Sequence, residues 1–174
     1  MRSIRPRLPV VLVPGLALAL ATCATAAPNG GGGVPPPYAR ALPCPTTAAE
    51  DEEGTIGPGG GSVRAGRARL RVPAGALPGR VRFRLSQPVA PYLFVSVVPD
   101  GQRFGGPGAA LTLSYAHCTG DLPPADSLAL FRWNPRTRQW DELASRADAG
   151  LREVTAEIEH LSGYTIGTPS RGGG

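Results

Sequence analysis

The sequence predicts an all-β protein, an antiparallel β-sandwich of about eight to nine short strands preceded by a signal peptide and a disordered Gly/Pro-rich tether. Between 61 and 167, short runs of β-branched and aromatic residues alternate with turn signals, the texture of a sandwich or barrel. No window there carries apolar residues at helical spacing over a useful length. With 24 Gly and 20 Pro among 174 residues, the chain supports one modest domain at most.

The first 26 residues read as an export signal. Arg2, Arg5 and Arg7 form a basic opening, 8–21 is apolar, and Ala24-Thr25-Ala26 supplies a small-x-small pattern, so cleavage falls between Ala26 and Ala27. Pro9 and Pro14 inside the apolar run, with Thr22 and Thr25 at its end, argue against a retained membrane span. Leu20-Ala21-Thr22-Cys23 resembles a bacterial lipoprotein box, which makes a lipidated Cys23 the alternative start of the mature chain, although Thr22 fits that box poorly. Loss of the three leader arginines takes the formal charge from +5 to +2, because 15 Arg then stand against 13 Asp and Glu.

Residues 27–60 hold 8 Gly and 7 Pro together with the acidic run Glu50-Asp51-Glu52-Glu53. Such a stretch buries too little apolar surface to offset its ordering entropy, so it is expected as a disordered tether except where Cys44 pins it. Once Cys23 is removed or lipidated, Cys44 and Cys118 remain. An even pair in an oxidising compartment favours a disulfide, which would close a loop of about 75 residues and contribute on the order of 4 kcal/mol by chain entropy. Two separate thiols are the alternative. His117 beside Cys118 does not suggest a metal site, because strand neighbours point to opposite faces and the chain has only 2 His.

The predicted strands are 62–65, 67–72, 80–86, 92–98, 110–115, 128–133, 139–144, 153–159 and 164–166. Pro73 and Gly75 end the second of these and force a tight turn. Pro99-Asp100-Gly101, Pro123-Pro124 and Asn134-Pro135 punctuate the later ones. Trp133 and Trp140 flank the last of these turns and are expected to pack as a hairpin pair, with a sugar-binding platform as the competing reading. Gly105-Gly106-Pro107-Gly108 is a loop and not a phosphate cradle, since Pro107 lacks an N–H and no helix follows. Residues 168–174 form a flexible tail.

Charge follows the alternation. In 67–72, Ala68, Leu70 and Val72 face one way and Arg67, Arg69 and Arg71 the other; in 80–85, Val81, Phe83 and Leu85 oppose Arg80, Arg82 and Arg84. These six arginines are the candidate anion-binding residues. In 153–159 the inward set is Val154, Ala156 and Ile158, with Glu153, Glu157 and Glu159 outward. Like charges directly across a strand pair repel, so an arginine ladder needs either carboxylates between its members or an anionic partner. In one reading the Glu strand shares the sheet and neutralises part of the ladder, at little gain in stability. In the other, the ladder is a surface for anionic envelope polymers or phospholipid head groups.

All 18 basic residues are Arg, which excludes a P-loop lysine, a Schiff-base lysine and a Ser-x-x-Lys nucleophile. No His-Glu-x-x-His, no Gly-x-Ser-x-Gly and no paired carboxylates outside tether or turns occur. Neither a metal nor a cofactor is implied. Nucleic acid is not an expected partner of an exported chain without Lys or basic-aromatic interleaving.

Several segments carry a resemblance. Gly60-Gly61-Ser62-Val63, Leu70-Arg71-Val72-Pro73-Ala74-Gly75-Ala76-Leu77-Pro78, Val98-Pro99-Asp100-Gly101-Gln102-Arg103-Phe104, Leu111-Thr112-Leu113, and Val154 to Ile158 followed by His160-Leu161-Ser162-Gly163-Tyr164 resemble the ZU-five domain. That domain is a β-sandwich of zonula occludens proteins, uncoordinated-five netrin receptors and ankyrins, and the resemblance covers 61–167. It implies an interaction or spacer module. Some members cleave themselves at a His-Phe-Ser motif, which His160-Leu161-Ser162 resembles. The implied chemistry has His160 as base and Ser162 attacking the Leu161 carbonyl in a strained peptide. Only 13 residues follow Leu161, whereas self-cleaving members use the cut to part large domains, so the expected role of this segment is a bend between the last two strands.

The expectation is therefore a non-enzymatic exported module, secreted or held at the cell envelope, whose partner is an unknown protein or an anionic envelope polymer. Membrane enters only if Cys23 is lipidated or the signal is retained.

Overall fold

The computed structural model describes residues 41–106 and 108–169. The export signal with its cleavage point between Ala26 and Ala27, Cys23, the 27–40 part of the tether and residues 170–174 lie outside the described residues.

Alternation of apolar and polar side chains sets the architecture. β3 (Gly61–Ala65), β4 (Ala68–Val72), β8 (Ala109–Ser114) and β12 (Glu153–Ile158) keep their buried residues at every second position, as strands with one wet face do. With β11 (Ser145–Asp148) they form a five-stranded antiparallel sheet in the order β11-β12-β8-β4-β3. A second sheet is built from β2 (Glu50–Ile56), β5 (Val81–Gln87), β7 (Phe94–Val98), β9 (Ala129–Asn134), β10 (Gln139–Glu142) and β13 (Gly163–Gly167). Its order is β10-β9-β13-β7-β5-β2, again antiparallel. β1 (Pro43–Thr46) and β6 (Ala90–Tyr92) pair separately. A 3-10 turn at Ala125–Ser127 completes the elements, and no helix among the described residues is long and apolar enough to cross a membrane.

The two larger sheets share one apolar core in a sandwich-like arrangement. Leu70, Leu111, Leu113 and Val154 from the five-stranded sheet join Phe83, Leu85, Leu130 and Tyr164 from the six-stranded one in a single cluster. Each is fully buried, and burial of such a side chain contributes on the order of 1.5–3 kcal/mol. After β4, Pro73 and Gly75 turn the chain so that Ala76 and Leu77 return to this core.

Both edges are closed by chain that crosses between the sheets. β2 turns between Gly57 and Gly60 and continues as β3 in the opposite sheet. Gly60 sits at φ +77°, where a Cβ would lie 2.7 Å from the Val72 carbonyl and the Ala74 amide. At the far edge β10 leads through Leu143 into β11: the Leu143 amide donates to the Leu130 carbonyl and the Leu130 amide to Ser145 Oγ. Edges stitched in this way offer fewer unpaired backbone groups to other chains.

The structure departs from the sequence reading at several places, one of them β11, which no predicted strand covers. Residues 43–46 and 50–56 are strands and not tether. The acidic run becomes ordered because β2 runs its full length along β5, from Glu50 opposite Gln87 to Ile56 opposite Val81, and β5 presents Arg82 and Arg84 as counter-charges. The predicted strand 92–98 divides at Leu93 into β6 and β7. Gly66, at φ +49°, and Arg67 form the two-residue turn of the β3–β4 hairpin, so Arg67 does not lie on the outward row of β4. Most consequentially, the two arginine strands are in different sheets, β4 in one and β5 in the other.

Cys44 and Cys118 are joined, with their Cα atoms 4.8 Å apart and both side chains buried. The bond fastens β1, whose Cys44 and Thr46 point inward, as does Leu42 just before it, while Pro43 and Pro45 face out.

Candidate functional site

The six arginines singled out from the sequence have four different environments. Arg82 is paired with Glu53, and Arg84 Nη2 lies 3.3 Å from Asp51 Oδ1. Both pairs are diagonal across β2 and β5, since the residues directly opposite are Thr55 and Glu53 respectively. Neutralisation therefore comes from the acidic strand β2 and not from Glu153, Glu157 and Glu159. Arg67 turns toward the disulfide, its Nη1 3.2 Å from Cys44 Sγ and its amide donating to Gln87 Oε1. Arg80 is exposed just before β5 and has no ion pair among the described residues.

Arg69 and Arg71 remain outward on β4, and they are joined by Arg64, which the sequence reading did not single out. Arg64 on β3 stands directly opposite Arg69, and Ser62 opposite Arg71. The hairpin register was available: with Gly66 and Arg67 as a two-residue turn, Ala65 faces Ala68 and Arg64 must face Arg69. Glu157 is in the same sheet, but Ala110 of β8 lies between it and Arg71. Two strand spacings separate them, about 10 Å. None of Arg64, Arg69 and Arg71 has an ion pair among the described residues. They line a shallow concavity of about 630 Å³ floored by Gly59, Gly60 and Gly61 and by Val72 to Ala74.

A second concavity, about 430 Å³, lies where the 99–103 turn, the end of β9 and residues 160–162 converge. Arg103 and His160 form a backbone bridge, the Leu161 amide donates to the Gln102 carbonyl, and the Gly101 amide donates to the Leu161 carbonyl. Asp141 faces Arg132 across β10 and β9 and accepts from its Nη2 at 2.9 Å. Arg132 Nη1 is 3.4 Å from His160 Nδ1. A guanidinium only donates, so this contact favours the tautomer in which Nδ1 accepts. Burial first, then Arg132 and Arg103, hold the imidazole below its usual value, with Glu159 and Asp100 opposing. The Tyr164 hydroxyl donates to the His160 carbonyl at 2.6 Å, and burial pushes that phenol up.

His160 and Ser162 are near each other in this cleft, but no hydrogen bond joins them among the described residues. Ser162 Oγ donates to the Trp133 carbonyl at 2.7 Å. The 160–162 backbone has neither a cis peptide nor a left-handed φ. Trp133 and Trp140 pack on one another at 60° and 5.6 Å, and Phe94 meets Trp140 edge-on. Both indoles are half-buried and do not lie in one plane. Gly163 makes room for this group, because a Cβ there would be 2.9 Å from the Phe94 ring. Among the described residues no three His, Cys, Asp or Glu side chains gather as metal ligands.

Comparison with protein-family models and with curated proteins finds no match for this chain.

Proposed function

We propose that this chain is a non-enzymatic interaction module of the cell exterior or envelope that binds an anionic polymer through Arg64, Arg69 and Arg71. The observation that carries the reading is the direct opposition of Arg64 and Arg69, neither of which has an ion pair among the described residues, while Arg82 and Arg84 are each paired with a carboxylate. An opposed like-charge pair destabilises a hairpin, and an anionic ligand offsets that cost. The disulfide supports an oxidising location, since such bonds persist outside the cytoplasm. The ZU-five resemblance is consistent with a module of this kind and adds no partner.

Retention on beads carrying long-chain polyphosphate tests the reading. The full chain is retained at low salt and released as NaCl rises through a few tenths molar, where screening shortens to about 5 Å. The triple variant Arg64→Ala/Arg69→Ala/Arg71→Ala is expected to pass through unretained while remaining folded; equal retention of the two proteins would remove the proposal.

A further inference from the structure

The cleft beside His160 has a composition that neither the fold nor the polymer-binding surface requires. Arg132 occupies a half-buried position on β9, with its side chain 21 % exposed, opposite Tyr164 of β13 and Asp141 of β10. An ion pair in such a place is a poor source of stability, because desolvation offsets most of the attraction. Asp141 engages one edge of the guanidinium and His160 another, yet Nε is buried without a hydrogen-bond partner. A buried donor left without a partner is destabilising. Arg103 and Arg136 line the same cleft from two other segments, and Asp100 is the single carboxylate in its wall. Both of these arginines are exposed and have no ion pair among the described residues.

We propose that this cleft is a binding site for a phosphate monoester group. Three guanidinium-bearing side chains and the His160 imidazole line it from β9, the turn after it, the 99–103 turn and the 160–162 bend, so polar groups approach from several sides. That arrangement suits a tetrahedral anion with three terminal oxygens. A planar carboxylate is saturated by a single guanidinium fork. At about 430 Å³ the space exceeds a bare phosphate and leaves room for a small organic remainder beside Asp100, whose carboxylate accepts hydrogen bonds from hydroxyl groups. Asp141, which accepts from Arg132, and Asn134, whose amide donates to the same Asp141 oxygen at 3.0 Å, act as positioning residues for Arg132.

The site is separate from the Arg64, Arg69 and Arg71 surface, and its test is independent of that surface. The chain has only 2 His, so the His160 imidazole is a clean magnetic-resonance reporter and His117 is the internal reference. Glycerol 3-phosphate is titrated into the full chain, and phosphatidic acid vesicles are added in a parallel series. The expected result is a saturable shift of His160 with His117 unmoved. Affinity falls at least tenfold in Arg103→Ala/Arg136→Ala and is unchanged in Arg64→Ala/Arg69→Ala/Arg71→Ala. Because Arg103 and Arg136 are exposed, that double variant keeps the fold. A response to glycerol 3-phosphate places the phosphate on a soluble ester; a response to the vesicles alone places it on a lipid head group; either supports the cleft. No response to either, or one that persists in Arg103→Ala/Arg136→Ala, overturns it.

Discussion

Arg64 and Arg69 stand directly opposite each other on the β3–β4 hairpin, and neither has a carboxylate partner among the described residues. Cross-strand pairs on one face lie about 5 Å apart at Cβ, close enough for two guanidinium groups to oppose one another. Stability and binding should therefore respond in opposite directions at this position. Arg69→Thr is expected to raise the unfolding free energy by roughly 0.2–1 kcal/mol and to weaken retention on polyphosphate. Urea denaturation and bead retention on the same preparation check both. A variant that loses stability along with binding would contradict the assignment of this pair as a functional cost.

Covalent closure between Cys44 and Cys118 spans 74 residues. Chain entropy gives about 4 kcal/mol for a loop of that size. Cys44→Ser/Cys118→Ser should lose about that much in chemical denaturation, and reduction of the unaltered chain should give the same midpoint as the double variant. Since both side chains are buried, the reductant should act only as the chain opens. Rapid reduction in native buffer would show that β1 is loosely held.

What could be read in advance was the region where apolar and polar residues strictly alternate. Leu70 between Arg69 and Arg71, and Phe83 between Arg82 and Arg84, identify their strands and their inward faces without any tertiary information. β2 could not be read this way. Its sequence is charged on both sides, Glu50 and Glu52 on one and Asp51 and Glu53 on the other, and it is a strand through its backbone pairing with β5 and its buried Ile56, with Arg82 and Arg84 alongside as counter-charges. β1 carries two prolines and is fixed by a disulfide and by the Thr46 hydroxyl on the Pro88 carbonyl, contacts made far away in sequence. β11, Ser-Arg-Ala-Asp, has one half-buried alanine and follows β12 by register. The division of the arginines between two sheets depends on topology, which periodicity does not specify. The cleft beside His160 was likewise out of reach, because Arg103, Arg132 and His160 are brought together by pairings across β9, β13 and the 99–103 turn.

His160 makes stability depend on pH in a defined sense. Burial, Arg132 and Arg103 depress its folded-state value below the ordinary 6.5. As pH falls through 6.5 the unfolded chain takes up the proton first, so stability declines there and levels off once the folded-state ring is protonated too. Titration of the imidazole resonances should give a midpoint below 6.5 in the unaltered chain and a higher one in Arg132→Gln. An unchanged midpoint in that variant would show that Arg132 does not act on the ring.

Ser162 is committed to structure. Its hydroxyl donates to the Trp133 carbonyl, and removing it in Ser162→Ala should cost about 1 kcal/mol. Intact-mass measurement should show one chain unbroken between Leu161 and Ser162. A fragment beginning at Ser162, present in the unaltered chain and absent from Ser162→Ala, would establish self-cleavage instead.

The most direct test of the account is the salt dependence of polyphosphate binding. Counterion release makes the slope of log affinity against log salt scale with the number of neutralised charges, about one per charge. A slope of about −3 is predicted for the unaltered chain and near zero for Arg64→Ala/Arg69→Ala/Arg71→Ala, while Asp51→Asn/Glu53→Gln, which frees Arg82 and Arg84 in the other sheet, should leave it unchanged. Binding that ignores salt, or a slope that the triple variant leaves intact, would contradict it.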